Sequence, residues 1–415
     1  MSTPDEATGV MAASEVVVSE GRSGPWQRRH LILAILFCCY LICYMDRMAI
    51  ATAIPFIAKD FGLSPLGMGG VLSAFFIGYA LTQMPGGMLA DRFGPRRIMT
   101  ASIISWSLFT LLTGAAGSLP LLIAIRVCFG LSEGAFPPSA TKAVSAWFPQ
   151  DEVGRANGFQ LAAVQIGAAI APVTVSWIIA RWDWRAVFYC LLLPGLVLAT
   201  LVGTIVKDKA FSPEERAAQP VEKPAPALRE VLALRAVRWG AITIFLWSIA
   251  AWGLMNWLPT YLLQARQFSL SKMGVLGSLP YLAGAAGYFL GGHLSYLFGD
   301  RRFLPIAAGL LVGGATTYWA AVAPGGGWAV VALCVAFLAI FICAGGVFTL
   351  PLLTVPRRSV GVAFGFINTA AQFAAFLSPL AVGAILKMTN GDFTTVLYGF
   401  VGFFLLAAMA ALRIA

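Results

Sequence analysis

Charge is what this sequence has least of. Only 11% of its 415 residues are Asp, Glu, Lys or Arg, against about 25% in soluble domains. A chain of this length could bury a large core, but so few charges cannot clothe that core against water. Histidine is almost missing, with His30 and His293 alone. No His-Glu-x-x-His occurs, which removes the commonest zinc-hydrolase pattern. The cysteines are Cys38, Cys39, Cys43, Cys128, Cys190, Cys334 and Cys343, all inside apolar stretches. None has zinc-ligand spacing, so no disulfide framework or metal site follows and they read as packing residues. The first 25 residues lack an apolar run and read as a polar tail, not a cleaved signal peptide.

Apolar residues make up 59% of the chain, and mean hydropathy is +0.82. A spanning helix needs about 20 such residues in a row. Candidate spans fall at 31–58, 67–90, 97–117, 119–143, 155–181 and 185–206, and again at 237–264, 273–297, 303–323, 327–352, 359–387 and 393–413. The expected organisation is a tail (1–29), a six-helix bundle (30–206), a polar linker (207–236) and a second six-helix bundle (237–415). The fold class is an all-α membrane protein of twelve transmembrane helices in two pseudo-symmetric bundles.

The net charge of +10 does not point to nucleic acid, because the basic residues sit in the short gaps between apolar runs. Most fall on the side that holds both termini and the linker, including Arg28, Arg29, Arg96, Arg97, Arg155, Lys207, Arg301 and Arg302. The positive-inside rule then places both termini in the cytoplasm.

The halves repeat. "GGMLADRFGPRR" at 86–97 aligns with "GGHLSYLFGDRR" at 291–302, each between the second and third span of its half. Equivalent halves imply a substrate path at their interface and alternating access by rocking. Ionisable groups at membrane depth are costly and mark function by default. Four lie near mid-span: Asp46 and Arg47 in the first, Arg126 and Glu133 in the fourth. Shifted by the repeat offset, their positions fall on Ala251, Trp252, Val331 and Leu338, so charge is confined to one half.

Arg126, Gly130, Glu133 and Pro137 fall on one helical face, with Arg126 and Glu133 about 10 Å apart along the axis. Tyr40, Tyr44 and Arg47 share a face of the first span, and Phe75, Tyr79 and Gln83 one of the second. Gln165 is a polar residue within the fifth. The second half offers Asn256, Tyr281, Tyr288, Asn368 and Gln372 as neutral hydrogen-bonding groups for substrate hydroxyls, or for helix packing. A planar arginine fork suits a carboxylate or phosphate, and carboxylates beside it suggest proton coupling. A substrate carboxylate on Arg47 would compete with Asp46, and Glu133 would work in the same way against Arg126.

Gly87-x-x-x-Asp91-Arg92-x-Gly94-x-Arg96-Arg97 resembles the signature loop of the major facilitator superfamily. That resemblance covers the whole chain and implies a conformational latch on the cytoplasmic face, with Asp91 facing a helix N-terminus and the arginines facing carbonyl ends. "YMDR", "WDWR" at 182–185, "NWLPTY" at 256–261 and the Arg126–Pro137 pattern resemble the anion:cation symporter branch, which includes bacterial sugar-acid/proton symporters. The resemblance implies that Arg47 binds a substrate carboxylate, that Asp46 and Glu133 carry protons, and that Arg126 is their partner. Trp182 and Trp184 read as interface packing. His293 reads as structural.

The expected function is proton-coupled uptake of a small organic anion, a sugar acid or other monocarboxylate, by a monomer in a bacterial inner membrane, with no cofactor beyond the proton. Anion exchange is the alternative, with the charges serving structure and binding only. A non-transporting receptor stays open within this fold. Gly130-Leu131-Ser132-Glu133-Gly134 also fits the hydrolase pattern G-x-S-x-G, but that elbow needs a strand–turn–helix context and a base.

Overall fold

The computed structural model describes residues 28–208, 228–355 and 360–414. Residues 1–27 of the expected tail and most of the linker therefore lie outside the described residues, as do residues 356–359. The first half comprises α1 (Arg28–Phe61), α2 (Pro65–Phe93), α3 (Pro95–Ala115), α4 (Leu119–Gly134), α5 (Phe136–Trp147), α6 (Gln150–Arg181) and α7 (Trp184–Ile205). The short α8 (Leu228–Ala233) precedes the second half. That half comprises α9 (Arg235–Thr260), α10 (Leu270–Leu297), α11 (Phe303–Val322), α12 (Gly326–Thr354), α13 (Val360–Met388) and α14 (Phe393–Ala411). Among the described residues, twelve spans are long and apolar enough to cross a membrane, and each matches an expected segment.

The fourth span departs from expectation. It breaks into α4 and α5 at Ala135, because Pro137 and Pro138 have no N–H to bond the carbonyls of Glu133 and Gly134. Pro137 thus starts a new helix, and the stripe from Arg126 ends at Glu133. Elsewhere the helix ends are set by the chain's own signals. Ser64 Oγ accepts from Gly67 N at 3.3 Å ahead of Pro65, and Asp392 carboxylate oxygens accept from Thr394 N and Thr395 N. At the end of α9, Pro259 leads into a π-helical turn, Tyr261–Ala265. Arg266 then donates to the carbonyls of Ala320, Ala321 and Ala323 at the end of α11, a cation at a helix C-terminus.

The same packing recurs in each half. α1 packs on α6 as α9 does on α13, α2 on α4 as α10 on α12, and α3 on α7 as α11 on α14. The α2–α4 crossing is close enough to exclude side chains at two glycines. Gly78 meets the Val127 carbonyl, and Gly130 meets the Phe75 carbonyl, leaving no room for a Cβ on either. Small residues let membrane helices approach this way. Gly130→Val is therefore expected to lower stability by about 3 kcal/mol through overpacking, read as a lower melting temperature of the purified protein.

The halves meet along α6–α10, α2–α13 and α1–α9. At the end remote from Arg28 they touch backbone to backbone: Gly69 on the Pro379 carbonyl, Gly383 on Pro65, Gly274 on Pro172 and Ser176. At the basic end a cavity of about 590 Å³ opens between α6, α10 and α12. The halves are thus closed at one face and parted at the other.

Candidate functional site: a buried arginine–carboxylate centre

Asp46, Arg47, Arg126 and Glu133 are all buried, at 3% exposure or less. α1 and α4 bring them together inside the first half. Arg47 Nη2 forms an ion pair with Glu133 Oε1, and Arg47 Nη1 donates to Tyr44 Oη at 3.2 Å. Aromatic rings surround the guanidinium: Tyr44 at 4.4 Å, Phe75 at 4.5 Å and Tyr79 at 4.7 Å from its central carbon. Trp252 of the second half completes the cage at 6.0 Å. Each such ring stabilises a desolvated cation by about 2 kcal/mol, and the Glu133 carboxylate adds the opposite charge.

The expected pairing is corrected here. Arg47, not Arg126, is the partner of Glu133. Arg126 stacks on Phe129 at 4.6 Å and Phe75 at 5.5 Å. It interacts electrostatically with Asp46, as does the Thr110 hydroxyl of α3, although neither Asp46 oxygen has a well-formed hydrogen bond. The second oxygen of Glu133 is likewise unbonded. Arg47 is thus ion-paired with Glu133, while Arg126 lies in the combined field of Glu133 and Asp46.

Among the neutral groups, Asn368 Nδ2 donates to Gln83 Oε1 at 2.9 Å, linking the halves. Gln83 in turn reaches Tyr79 Oη at 3.4 Å. A chain of contacts thus runs from Arg47 through Tyr79 and Gln83 to the second half. Gln165 is buried with Oε1 unbonded, and Gln372 Oε1 is unbonded too. Asn256 does not fit its expected role, since its amide donates back to the Trp252 carbonyl at 2.8 Å. Tyr281 is spent on the Met255 carbonyl. Trp184 donates to Asp60 at 3.0 Å beside the Arg185–Asp60 ion pair, whereas Trp182 is exposed. Trp184 is packed in the core, and Trp182 meets the Trp177 ring edge-on.

The signature loop stays within the first half. Asp91 does not face a helix N-terminus. It pairs with Lys142 of α5, which also donates to the Gly87 carbonyl at 3.4 Å. Asp208 takes the N-terminal position of α3 instead, accepting from Arg96 N at 2.9 Å. The Arg96 guanidinium meets the Gly203 carbonyl near the end of α7, as expected of a cation. Gly94 has φ +86, and a Cβ there would strike Asp208. Arg92 and Arg97 are exposed.

Sequence reasoning did not assign Trp252, Phe75, Cys43, Lys142 or Asp208 to these sites. Trp252 was marked only as the repeat counterpart of Arg47, and the two counterparts meet at the pseudo-symmetry axis. Cys43, read as packing, lies against Glu133. Ser132 is no elbow. It lies within α4 and donates to the Cys128 carbonyl at 2.9 Å. Ser132→Ala is expected to change stability by no more than about 0.5 kcal/mol and uptake by less than about twofold, measured in proteoliposomes.

Comparison with known proteins agrees with this geometry. The Major Facilitator Superfamily model matches residues 36–379. The probable sulfoacetate transporter SauU of Cupriavidus necator is 31% identical over 87% of this chain and 88% of its own. The probable galactarate/D-glucarate transporter GudP of Bacillus subtilis is 30% identical over 92% and 90%. The D-galactonate transporter of Escherichia coli is 29% identical over 86% and 89%. In three dimensions, a bacterial homologue of the human lysosomal transporter Spinster, in an inward-facing and occupied conformation, superposes with a TM-score of 0.80 over 94% of this chain and 97% of that one, at 21% identity. With twelve apolar spans among the described residues, a packing pattern repeated in two halves and this family match along most of its length, the chain belongs to the Major Facilitator Superfamily of membrane transporters.

Proposed function

We propose that this protein takes up a small organic anion, a sugar acid or other monocarboxylate, together with protons, by alternating access. The observation that carries this reading is the Arg47–Glu133 pair, sealed among rings from both halves. A free carboxylate that engages Nη2 of Arg47 must take the place of Glu133. The displaced Glu133, buried without a partner, costs several kilocalories per mole as an anion and takes up a proton. Substrate and proton then bind as a pair. Asp46, buried with both oxygens unbonded, is the second proton carrier. The names of the relatives support the anion class, since galactarate, D-glucarate, D-galactonate and sulfoacetate all carry a carboxylate.

Around this centre, Tyr44, Tyr79 and Gln165 in the first half and Asn368 and Gln372 in the second are placed for substrate hydroxyls. With the basic face cytoplasmic, the parted halves correspond to an inward-open state of a monomer in a bacterial inner membrane. Gly87, Asp91, Arg92, Gly94, Arg96 and Arg97 form the latch, with exposed Arg92 and Arg97 meeting the second half when that face closes. No cofactor beyond the proton is needed. Uptake of D-galactonate, D-glucarate and sulfoacetate into proteoliposomes under an inside-alkaline gradient tests the reading. Uptake that collapses with the gradient supports it. Exchange of preloaded anion that ignores the gradient supports the exchanger instead.

A further inference from the structure

The cavity at the basic end lies well away from Arg47, and its lining is chemically uneven. Arg155 of α6 faces His293, Tyr296 and Phe289 of α10 across it, with Thr349 and Leu353 of α12 closing the side. Among the described side chains, no acidic residue lines it. Among the described residues, Arg155 and His293 have no hydrogen-bond or ion-pair partner. A cation without a counter-charge in a concave wall raises the local concentration of anions.

The internal repeat shows that the fold does not require these groups. "GRANGF" at 154–159 recurs as "GVAFGF" at 361–366, so Val362 stands where Arg155 stands. Val362 packs on the apolar cluster of Val231, Val237 and Ala363 beneath α8, whereas Arg155 is exposed to the cavity. In the second signature loop, His293 replaces Met88, and Tyr296 replaces Asp91. The copy has lost the carboxylate that anchors the first loop to Lys142, and its replacements line the cavity. An arginine kept only to anchor the bundle among lipid headgroups would face outward, not into a space between the halves.

We propose that this cavity is a second anion site, a release vestibule that holds a substrate carboxylate after it leaves Arg47. Arg155 supplies the charge and the paired N–H donors. His293 and the Tyr296 hydroxyl supply further donors, and the Phe289 and Tyr296 rings cover the apolar face of the ligand. The inference rests on the organic-anion reading, but its test does not depend on transport.

Tyr296→Cys places a thiol in the vestibule, and the parent protein's own thiol reaction is subtracted. An anionic methanethiosulfonate is expected to react there faster than a cationic one. Adding Arg155→Gln should reduce that preference by roughly threefold to tenfold. D-galactonate, D-glucarate or sulfoacetate should slow labelling, and should still do so when Arg47→Lys disables the central site. Protection lost with Arg47→Lys would show that the cysteine reports central occupancy, which overturns the proposal. An anion preference unchanged by Arg155→Gln, or no protection by any of the three anions, overturns it as well. Protection that persists in a protein moving none of these anions would leave the site standing and defeat the transport reading instead.

Discussion

Arg47→Lys is expected to cut uptake of D-galactonate or D-glucarate by about thirtyfold or more while leaving the protein folded. The variant keeps the positive charge, so Glu133 keeps an ionic partner. It removes the planar fork that lies among Tyr44, Phe75, Tyr79 and Trp252, and lysine binds a carboxylate as a point charge instead of in two parallel bonds. Losing one hydrogen bond to a charged carboxylate costs about 1.5–3 kcal/mol, and 2 kcal/mol is about a factor of 30. Arg47→Ala differs in kind. It strands Glu133, which is fully buried, at a cost of about 3–5 kcal/mol of stability. Adding Glu133→Gln should recover the melting temperature of Arg47→Ala without recovering uptake. Proteoliposome uptake and thermal melting of the four proteins separate the two effects. Normal uptake by Arg47→Lys would remove Arg47 from the substrate path.

Much of this site was legible before the fold was known, because a membrane makes charges conspicuous. Asp46, Arg47, Arg126 and Glu133 stand out against an apolar background where water cannot explain them. Span limits were legible for the same reason. The pairing was not. Arg47 and Glu133 meet because α1 and α4 approach with a rotation that no single-helix periodicity contains. The break at Ala135 was visible as Pro137–Pro138, but proline is often tolerated in membrane helices, and Pro55, Pro85 and Pro172 lie inside unbroken ones here. Asp208 was hidden in the linker, and its place at the start of α3 depends on where α7 ends. Trp252 needed the pseudo-symmetry itself to be seen in three dimensions.

Glu133→Gln is expected to separate binding from coupling. A neutral amide leaves Arg47 free of its internal competitor, so a substrate carboxylate binds at least as tightly. Exchange of labelled for unlabelled anion across proteoliposomes should continue. Accumulation driven by an inside-alkaline pH difference should vanish, whereas one proton per carboxylate would sustain up to about tenfold per pH unit in the unaltered protein. Asp46→Asn keeps the Arg47–Glu133 pair intact and tests the second carrier separately.

The central claim is that the substrate carboxylate and Glu133 compete for one arginine, so that substrate and proton bind together. Proton uptake on adding D-galactonate to the purified protein in weakly buffered detergent solution tests this without any membrane. The unaltered protein is predicted to take up protons as the anion binds, and Glu133→Gln is predicted to bind it with that uptake lost. Equal proton uptake by Glu133→Gln, or anion binding by the unaltered protein with no proton uptake, would contradict the account.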